Sequence, residues 1–230
     1  MSKLNLEILA YEESPLGLLC LRRRELLSKP GTIVTEVTLN HEFLMSSLYT
    51  KSECELARTA IEMHTGSELQ VLVGGLGLGY TAHEALKSQR VANVNVIELL
   101  PQVVGWLKDG LVPLSSELVA DSRFETTSDD VYLRLAAEPS EFHDVILIDV
   151  DHSPDDRLGG ESLPFYTEAG LVAAKKHLAV DGILAVWSYA ESSPFASALQ
   201  NTFGEVRVEP VTHLNEMINE EHTDWLFFAR

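Results

Sequence analysis

Four glycines, Gly74, Gly75, Gly77 and Gly79, fall within six residues at the end of an apolar run, in "VLVGGLGLGYTAHEAL" (71–86), and a helix-type pattern follows at once. Glycine at a strand-to-helix turn lets backbone approach a bound molecule closely. A phosphate cradle, a dinucleotide site, a site for another adenosine-bearing cofactor and tight packing would each explain the stretch. Acids spaced along the following strands narrow the choice. Glu98 closes "VNVIE", 19 residues after Gly79, where a carboxylate can accept both ribose hydroxyls. Asp129 follows the next β-type run, where a carboxylate can meet an adenine amino group. Asp149 ends "DVILID", and Asp151 stands two residues on. Any one of these acids also reads as a helix N-cap. Four consecutive strands that each end in glycine or acid read as a cofactor site. A Walker-type loop is excluded, because no Gly-Lys-Ser/Thr follows the glycines. NAD stays open, but the acids after the third and fourth strands suit a sulfonium carried on adenosine, S-adenosylmethionine or a close relative.

The elements that must position these groups follow from periodicity. Residues 3–47 read as short β-type runs, broken by Ser14-Pro15 and Lys29-Pro30-Gly31. From Glu53 to His64 the period becomes helical, with Leu56, Ala57, Ala60, Ile61 and His64 on one face. Strands are expected at 69–74, 94–99, 123–128, 144–149, 182–187, 205–211 and 224–229. Helices are expected at 80–88, 101–108, 129–137, 164–178 and 194–203. Alternating β and α elements predict an α/β fold, a Rossmann-like doubly wound, mostly parallel sheet. The expected division is an N-terminal β-hairpin segment, 1–50, and a cofactor-binding Rossmann-like catalytic domain, 51–230.

Bulk properties bound the partners. The 230 residues carry 17 Lys+Arg against 35 Asp+Glu, a formal net charge of −18. Such a surface repels phosphate backbones, so no nucleic-acid substrate is expected, and a cationic small molecule suits it. Arg22-Arg23-Arg24 reads as a solvated strand edge or local ion pairs. No run reaches the roughly 18 apolar residues of a membrane span, and no signal peptide is evident, so a cytoplasmic location is expected. Cys20 and Cys54 have no metal-ligand spacing, nor do the histidines, so no metal is expected.

Beyond the glycine stretch, "VNVIELLPQVV", "FHDVILIDVDHSP" and "LPFYTEAGLVAAKKHLAVDGILAVWS" resemble spermidine synthase and its relatives, the polyamine aminopropyltransferases, within the class I methyltransferase superfamily. Upstream, "ESPLGLLCLRR" is similar to the family's N-terminal hairpin, and "LNHEFLMSSL" to its Tyr-His-Glu segment. The resemblance covers about residues 10 to 190. It implies a seven-stranded sheet. It also implies that the glycine loop holds the sulfonium-bearing end, Glu98 the ribose and Asp129 the adenine. Asp149 would orient and deprotonate the attacking amine, and His41, Glu42 and Tyr166 would line the substrate pocket. In some relatives the hairpin makes a homodimer.

Three positions depart from the family pattern. Leu78 stands where the glycine loop carries an aspartate for the cofactor's free ammonium. His152 stands where a second aspartate is usual, with Asp151 one position earlier. Asn40 replaces the tyrosine before His-Glu. Two reactions therefore stand side by side: aminopropyl transfer from decarboxylated S-adenosylmethionine to a small amine, and methyl transfer from S-adenosylmethionine to a small acceptor. A cofactor-binding protein without turnover is the third reading. Both reactions are in-line displacements at carbon beside a positive sulfur and need a neutral nitrogen, whereas an alkylamine titrates near 10.4, like lysine. Asp149 can take that proton, and Asp151 is the candidate second acid if the chain turns at Pro154 and Gly159-Gly160. Trp187, after the fifth strand, is a candidate wall for a cationic ligand.

Overall fold

Period-two alternation and three connections, two of them two-residue turns, set the N-terminal segment into strands β1 (Leu6–Ser14), β2 (Gly17–Glu25), β3 (Ile33–Leu39) and β4 (Glu42–Ser46). The computed structural model describes residues 6–150, 152–155, 157–158, 161–162, 164–215 and 219–230. The expected hairpin is the first pair of a four-stranded antiparallel meander, ordered β1-β2-β3-β4. Its inner face carries Leu19, Leu21 and Val37, which share one apolar cluster with the helix that follows, α1 (Lys51–Met63). Arg22 and Arg24 both grip the buried Glu36 across the β2–β3 pair, at 2.9 and 2.6 Å. Burial would raise the Glu36 carboxyl, but the two guanidiniums hold it below the usual range. The basic run is thus a local ion-pair network, one of the two expected readings.

Next come β5 (Leu69–Gly74), α2 (Tyr80–Leu86), β6 (Val91–Glu98), α3 (Pro101–Lys108), α4 (Ser115–Ala120), β7 (Phe124–Ser128), α5 (Val131–Ala136) and β8 (His143–Ile148). Two-residue strands β9 (Arg157–Leu158) and β10 (Glu161–Ser162) pair with each other. A 3₁₀ turn (Pro164–Tyr166), α6 (Glu168–Lys175), β11 (Leu178–Ser188), α7 (Ser193–Thr202), β12 (Val206–Asn215) and β13 (Glu220–Ala229) complete the order. Seven strands form one sheet in the order β12-β13-β11-β8-β5-β6-β7. β13 is antiparallel to both its neighbours; the other described pairs in the sheet are parallel. The mostly parallel doubly wound sheet expected from the sequence is therefore present.

Two local differences have plain causes. The helix expected over 164–178 is broken at Thr167, whose hydroxyl caps α6 by accepting from the Gly170 amide at 3.2 Å. The 3₁₀ turn folds back on α6 so closely that a Cβ at Gly170 would lie 2.1 Å from the Pro164 carbonyl oxygen. Helix α4 went unread because it is six residues long and Leu114 offers no side-chain cap.

Alternation along the strands divides the sheet into two faces. Val145 and Leu147 of β8, Ile183 and Ala185 of β11, and Leu226 and Phe228 of β13 pack toward α1 and the N-terminal sheet. Ile148, Val186 and Phe227 pack on the opposite face with Tyr166 and Phe195. Continuing the same alternation places Asp149, Trp187 and Asp224 on the α1 face.

Candidate active site

At the carboxyl end of β5 the chain must clear its neighbour. Gly75 has φ +96°, and a Cβ there would lie 2.1 Å from the Asp149 carbonyl oxygen, so only glycine fits. Gly77 and Gly79 also have positive φ, and Gly79 sits at the start of α2. A Cβ at Gly74 would press on Val131 at 2.8 Å. The four glycines thus form a tight loop packed against Val131, Asp149, Met45 and Leu118.

Glu98 holds that loop in place. Its buried carboxylate accepts from the Leu76 amide at 2.8 Å and from the Leu100 amide at 2.7 Å. Burial pushes its carboxyl up against the pull of these amides. The Gly77 and Leu99 amides add to that pull, so the carboxylate sits among four backbone N–H groups at the foot of the glycine loop. Asp129 is exposed and turned to α5, ion-paired with Arg134 at 3.0 Å and accepting from the Asp130 amide at 2.9 Å. Those contacts hold its carboxyl below the usual range. Asp130 is the N-cap of α5, accepting from the Tyr132 and Leu133 amides.

Asp149 leaves the end of β8 with its amide donating to the Gly74 carbonyl at 2.8 Å. The Thr81 hydroxyl of α2 donates to its carboxylate. Burial raises the Asp149 carboxyl to about 6, with Asp224 adding to the rise and the Thr81 bond opposing it. A hollow of about 40 Å³ beside it is lined by Leu76, Gly77, Leu78, Tyr80 and Glu53. It adjoins a cleft of about 720 Å³ between the N-terminal sheet and the α1 face, lined among others by Met45, Tyr49, Glu53, Trp187, His213 and Asp224. The Arg22–Glu36–Arg24 group lines part of the same cleft.

Of the residues singled out from the sequence, the structure gathers Gly77 and Asp149 at the hollow and Trp187 in the cleft. Three others lie elsewhere. His41 is the second residue of a two-residue turn, Asn40-His41, with φ of 52° and 70°, and Leu39 pairs with Glu42 across it. This is the twist of a type I′ hairpin. His41 and Glu42 are exposed, and His41 lines a separate surface hollow with Tyr11 and Cys20. Asn40 takes its place in that turn because its side chain bonds Leu18 N at 2.9 Å and Leu16 O at 3.1 Å, locking the β1–β2 turn. Tyr166 is buried on the opposite face of the sheet, bonded to Tyr132 at 2.8 Å and His152 at 3.1 Å. It is not among the described residues that line the cleft. Asp151 and the Gly159-Gly160 pair lie outside the described residues.

Besides Glu36, which its two arginines neutralise, two acids of the cleft were not singled out from the sequence, Glu53 on the first turn of α1 and Asp224 on β13. The Ser52 hydroxyl lies between them, 3.0 Å from Glu53 Oε2 and 2.7 Å from Asp224 Oδ2. Burial, then Asp149, pushes the Glu53 carboxyl up to about 8. Burial also raises Asp224, against Ser52, His213 and His222. Among the described residues no group of three or more His, Cys, Asp or Glu is arranged for a metal, and no helix is long and apolar enough to cross a membrane.

Comparison with known proteins gives the site its context. Over 123 residues, 53% of this chain, the sequence is 32% identical to polyamine aminopropyltransferase 2 of Streptomyces coelicolor. Over 137 residues, 59% of this chain, it is 30% identical to the polyamine aminopropyltransferase of Oceanobacillus iheyensis. The matched stretches span 22% and 25% of those relatives' own lengths. No family model matches the chain. Spermidine synthase from Thermotoga maritima superposes with a TM-score of 0.73 at 18% identity, covering 96% of this chain and 71% of that one. A spermidine synthase in complex with the transition-state analogue AdoDATO gives 0.71 at 19% identity, over 96% and 73% of the two chains. Human methyltransferase-like protein 13, in complex with SAH, gives 0.57 at 17% identity, over 78% and 82%. The likeness to these structures is one of fold. The resemblance read from the sequence holds: the chain is similar to polyamine aminopropyltransferases, on the fold that spermidine synthases share with methyltransferases.

Proposed function

We propose that the chain carries the catalytic unit of an aminopropyltransferase, moving an aminopropyl group from decarboxylated S-adenosylmethionine to a small amine. The observation that carries this reading is Asp149, a carboxylate held beside the glycine loop where that loop adjoins an acid-lined cleft. Names of similar proteins and the two spermidine synthase folds support the substrate class. The glycine loop, with Glu98 beneath it and the hollow beside Asp149, fits an adenosine-bearing sulfonium. When bound, that molecule supplies a carbon activated by positive sulfur.

The chain's own residues would supply the rest. Glu98 fixes the glycine loop through its backbone amides and stands where the ribose hydroxyls would bind. Asp149, ionised above about 6, accepts the proton of the amine, and Thr81 holds it in orientation. The freed nitrogen pair forms a C–N bond as the C–S bond breaks toward sulfur. A positioned general base of this kind contributes about 10²–10⁴-fold, and in-line placement up to roughly 7–11 kcal/mol. Trp187 and Tyr49 wall the path of the aliphatic chain. We place this activity in the cytoplasm.

Leu78 favours a second reading, methyl transfer from intact S-adenosylmethionine. It is buried in the hollow beside Asp149, where an ammonium would require an acid. The test is incubation with decarboxylated and intact S-adenosylmethionine in turn, over a panel of amines. Methylthioadenosine as product supports aminopropyl transfer; S-adenosylhomocysteine supports methyl transfer. Binding of neither by calorimetry overturns both.

A further inference from the structure

The chain from Asp149 to His152 straddles the end of the sheet. Asp149 turns to the α1 face, whereas His152 meets side chains of the opposite face. Its Nε2 stands 3.1 Å from the Tyr132 hydroxyl of α5 and 3.1 Å from the Tyr166 hydroxyl of the 3₁₀ turn, and those two hydroxyls are 2.8 Å apart. Polar atoms from three separate segments thus meet at one point. The imidazole also stands edge-on to Tyr166, with ring centroids 5.6 Å apart and planes at 89°. We propose that His152 is a positioning residue for Asp149: clasped by the two phenols, it pins the turn after β8 to α5 and the 3₁₀ turn, and so sets the direction of the carboxylate. The inference rests on Asp149 being the base of the proposed transfer. It gives this position, where the resembled family usually has a second aspartate, a different duty.

The backbone between the two residues transmits that hold. The His152 amide donates to the Val150 carbonyl at 2.8 Å, closing a tight turn directly after Asp149. Val150 packs on the same apolar cluster as Tyr132 and Tyr166. On the other side, the Asp149 amide is fixed to the Gly74 carbonyl. Among the described residues only the Thr81 hydroxyl donates to the Asp149 carboxylate, so its direction depends on the backbone that carries it. Two phenylalanines would fill the volume of the tyrosines. Two hydroxyls converging on one ring nitrogen specify in addition where His152 must lie. Burial, and then Tyr166, raises the Tyr132 phenol well above its usual range, so the clasp keeps that hydrogen at neutral pH.

The test compares His152→Ala and His152→Gln in the whole chain with Tyr132→Phe and Tyr166→Phe, which keep the ring packing and remove only a hydroxyl. With 1,4-diaminobutane as the amine, His152→Ala should lose about 10–100-fold in kcat, with KM for the amine within about twofold of wild type. Its acidic limb in kcat/KM should move below about 6, toward the ordinary carboxylate range. A loosened Asp149 is better hydrated and less confined beside Glu53 and Asp224. Glutamine, which offers an amide where Nε2 stands, should recover most of the rate and restore the limb. The two phenylalanine variants should shift the limb in the same direction, and they carry the test alone if His152→Ala does not fold. An unmoved limb, or a loss confined to KM, overturns the proposal, because His152 would then be packing or would face the amine. If the wild type makes no methylthioadenosine from any amine of the panel, the functional reading fails by itself. The clasp is then read without turnover, from exchange of the Asp149 amide by NMR. That amide should exchange about tenfold faster in His152→Ala than in His152→Gln, with the central amides of β8 unchanged. Equal exchange overturns the clasp.

Discussion

Asp149 and Glu98 are both raised carboxyls, but their surroundings give them opposite duties. Asp149 has one hydroxyl donor, Thr81, and faces two other acids, Glu53 and Asp224. It is short of donors and so is suited to take a proton. Asp149→Asn should lower kcat by about 10²–10⁴-fold while methylthioadenosine affinity, measured by calorimetry, stays unchanged. Because the base must be ionised, wild-type kcat/KM should rise with pH through about 6; the limb belongs to the Asp149–Glu53 pair rather than to one residue. Loss of affinity with retained turnover would make Asp149 a binding group. Glu98 instead satisfies two backbone amides. Glu98→Ala leaves those donors unpaired, which costs about 1–3 kcal/mol. Cofactor affinity should fall by tenfold or more, with a lowered melting temperature as the mark of a collapsed loop.

At the scale of elements, the site is made by strand ends and by one helix. Gly75 passes so close to the Asp149 carbonyl that Gly75→Ala must move β5 and β8 apart as well as strain φ. Binding of S-adenosylmethionine analogues should be lost in that variant, while Gly31→Ala, which also sits at positive φ but meets nothing within 4 Å, should keep it. The strands, their order of appearance and the glycine and acid at their ends were legible because period two and turn chemistry are local signals. The N-terminal face of the site was not. His41 and Glu42 read as strand because Asn40-His41 is an unusual pair for a two-residue turn, where glycine is the customary signal. Glu53 hid because an acid in a helix's first turn ordinarily complements the helix dipole. Asp224 hid because only the pairing of β13 beside β11 brings it to α1. Tyr166 was placed by its position after the fourth strand, but its ring belongs to the opposite face of the sheet.

For the molecule as a whole, a row of acids under a surface of net charge −18 makes stability a function of pH in a calculable direction. The folded-state carboxyl of Glu53, at about 8, lies above its unfolded value, near 4.3. The native state therefore binds more protons than the unfolded state between those values, and stability falls as pH rises across that window. Asp149 adds to the fall between about 4 and 6. His143, lowered by burial, acts in the opposite sense below about 6.5, because there the unfolded state binds the extra proton. Surface repulsion among the excess acids is screened at 1 M salt, where the Debye length is about 3 Å, whereas the buried row is screened far less. The measurement is therefore a difference: melting temperature against pH from 5 to 9 in high salt, for wild type and Glu53→Gln. The glutamine variant should be flatter, and more stable by about 1–3 kcal/mol at pH 8. Parallel curves for the two proteins would mean that Glu53 is ionised throughout and that the acid row is already neutralised from within the fold.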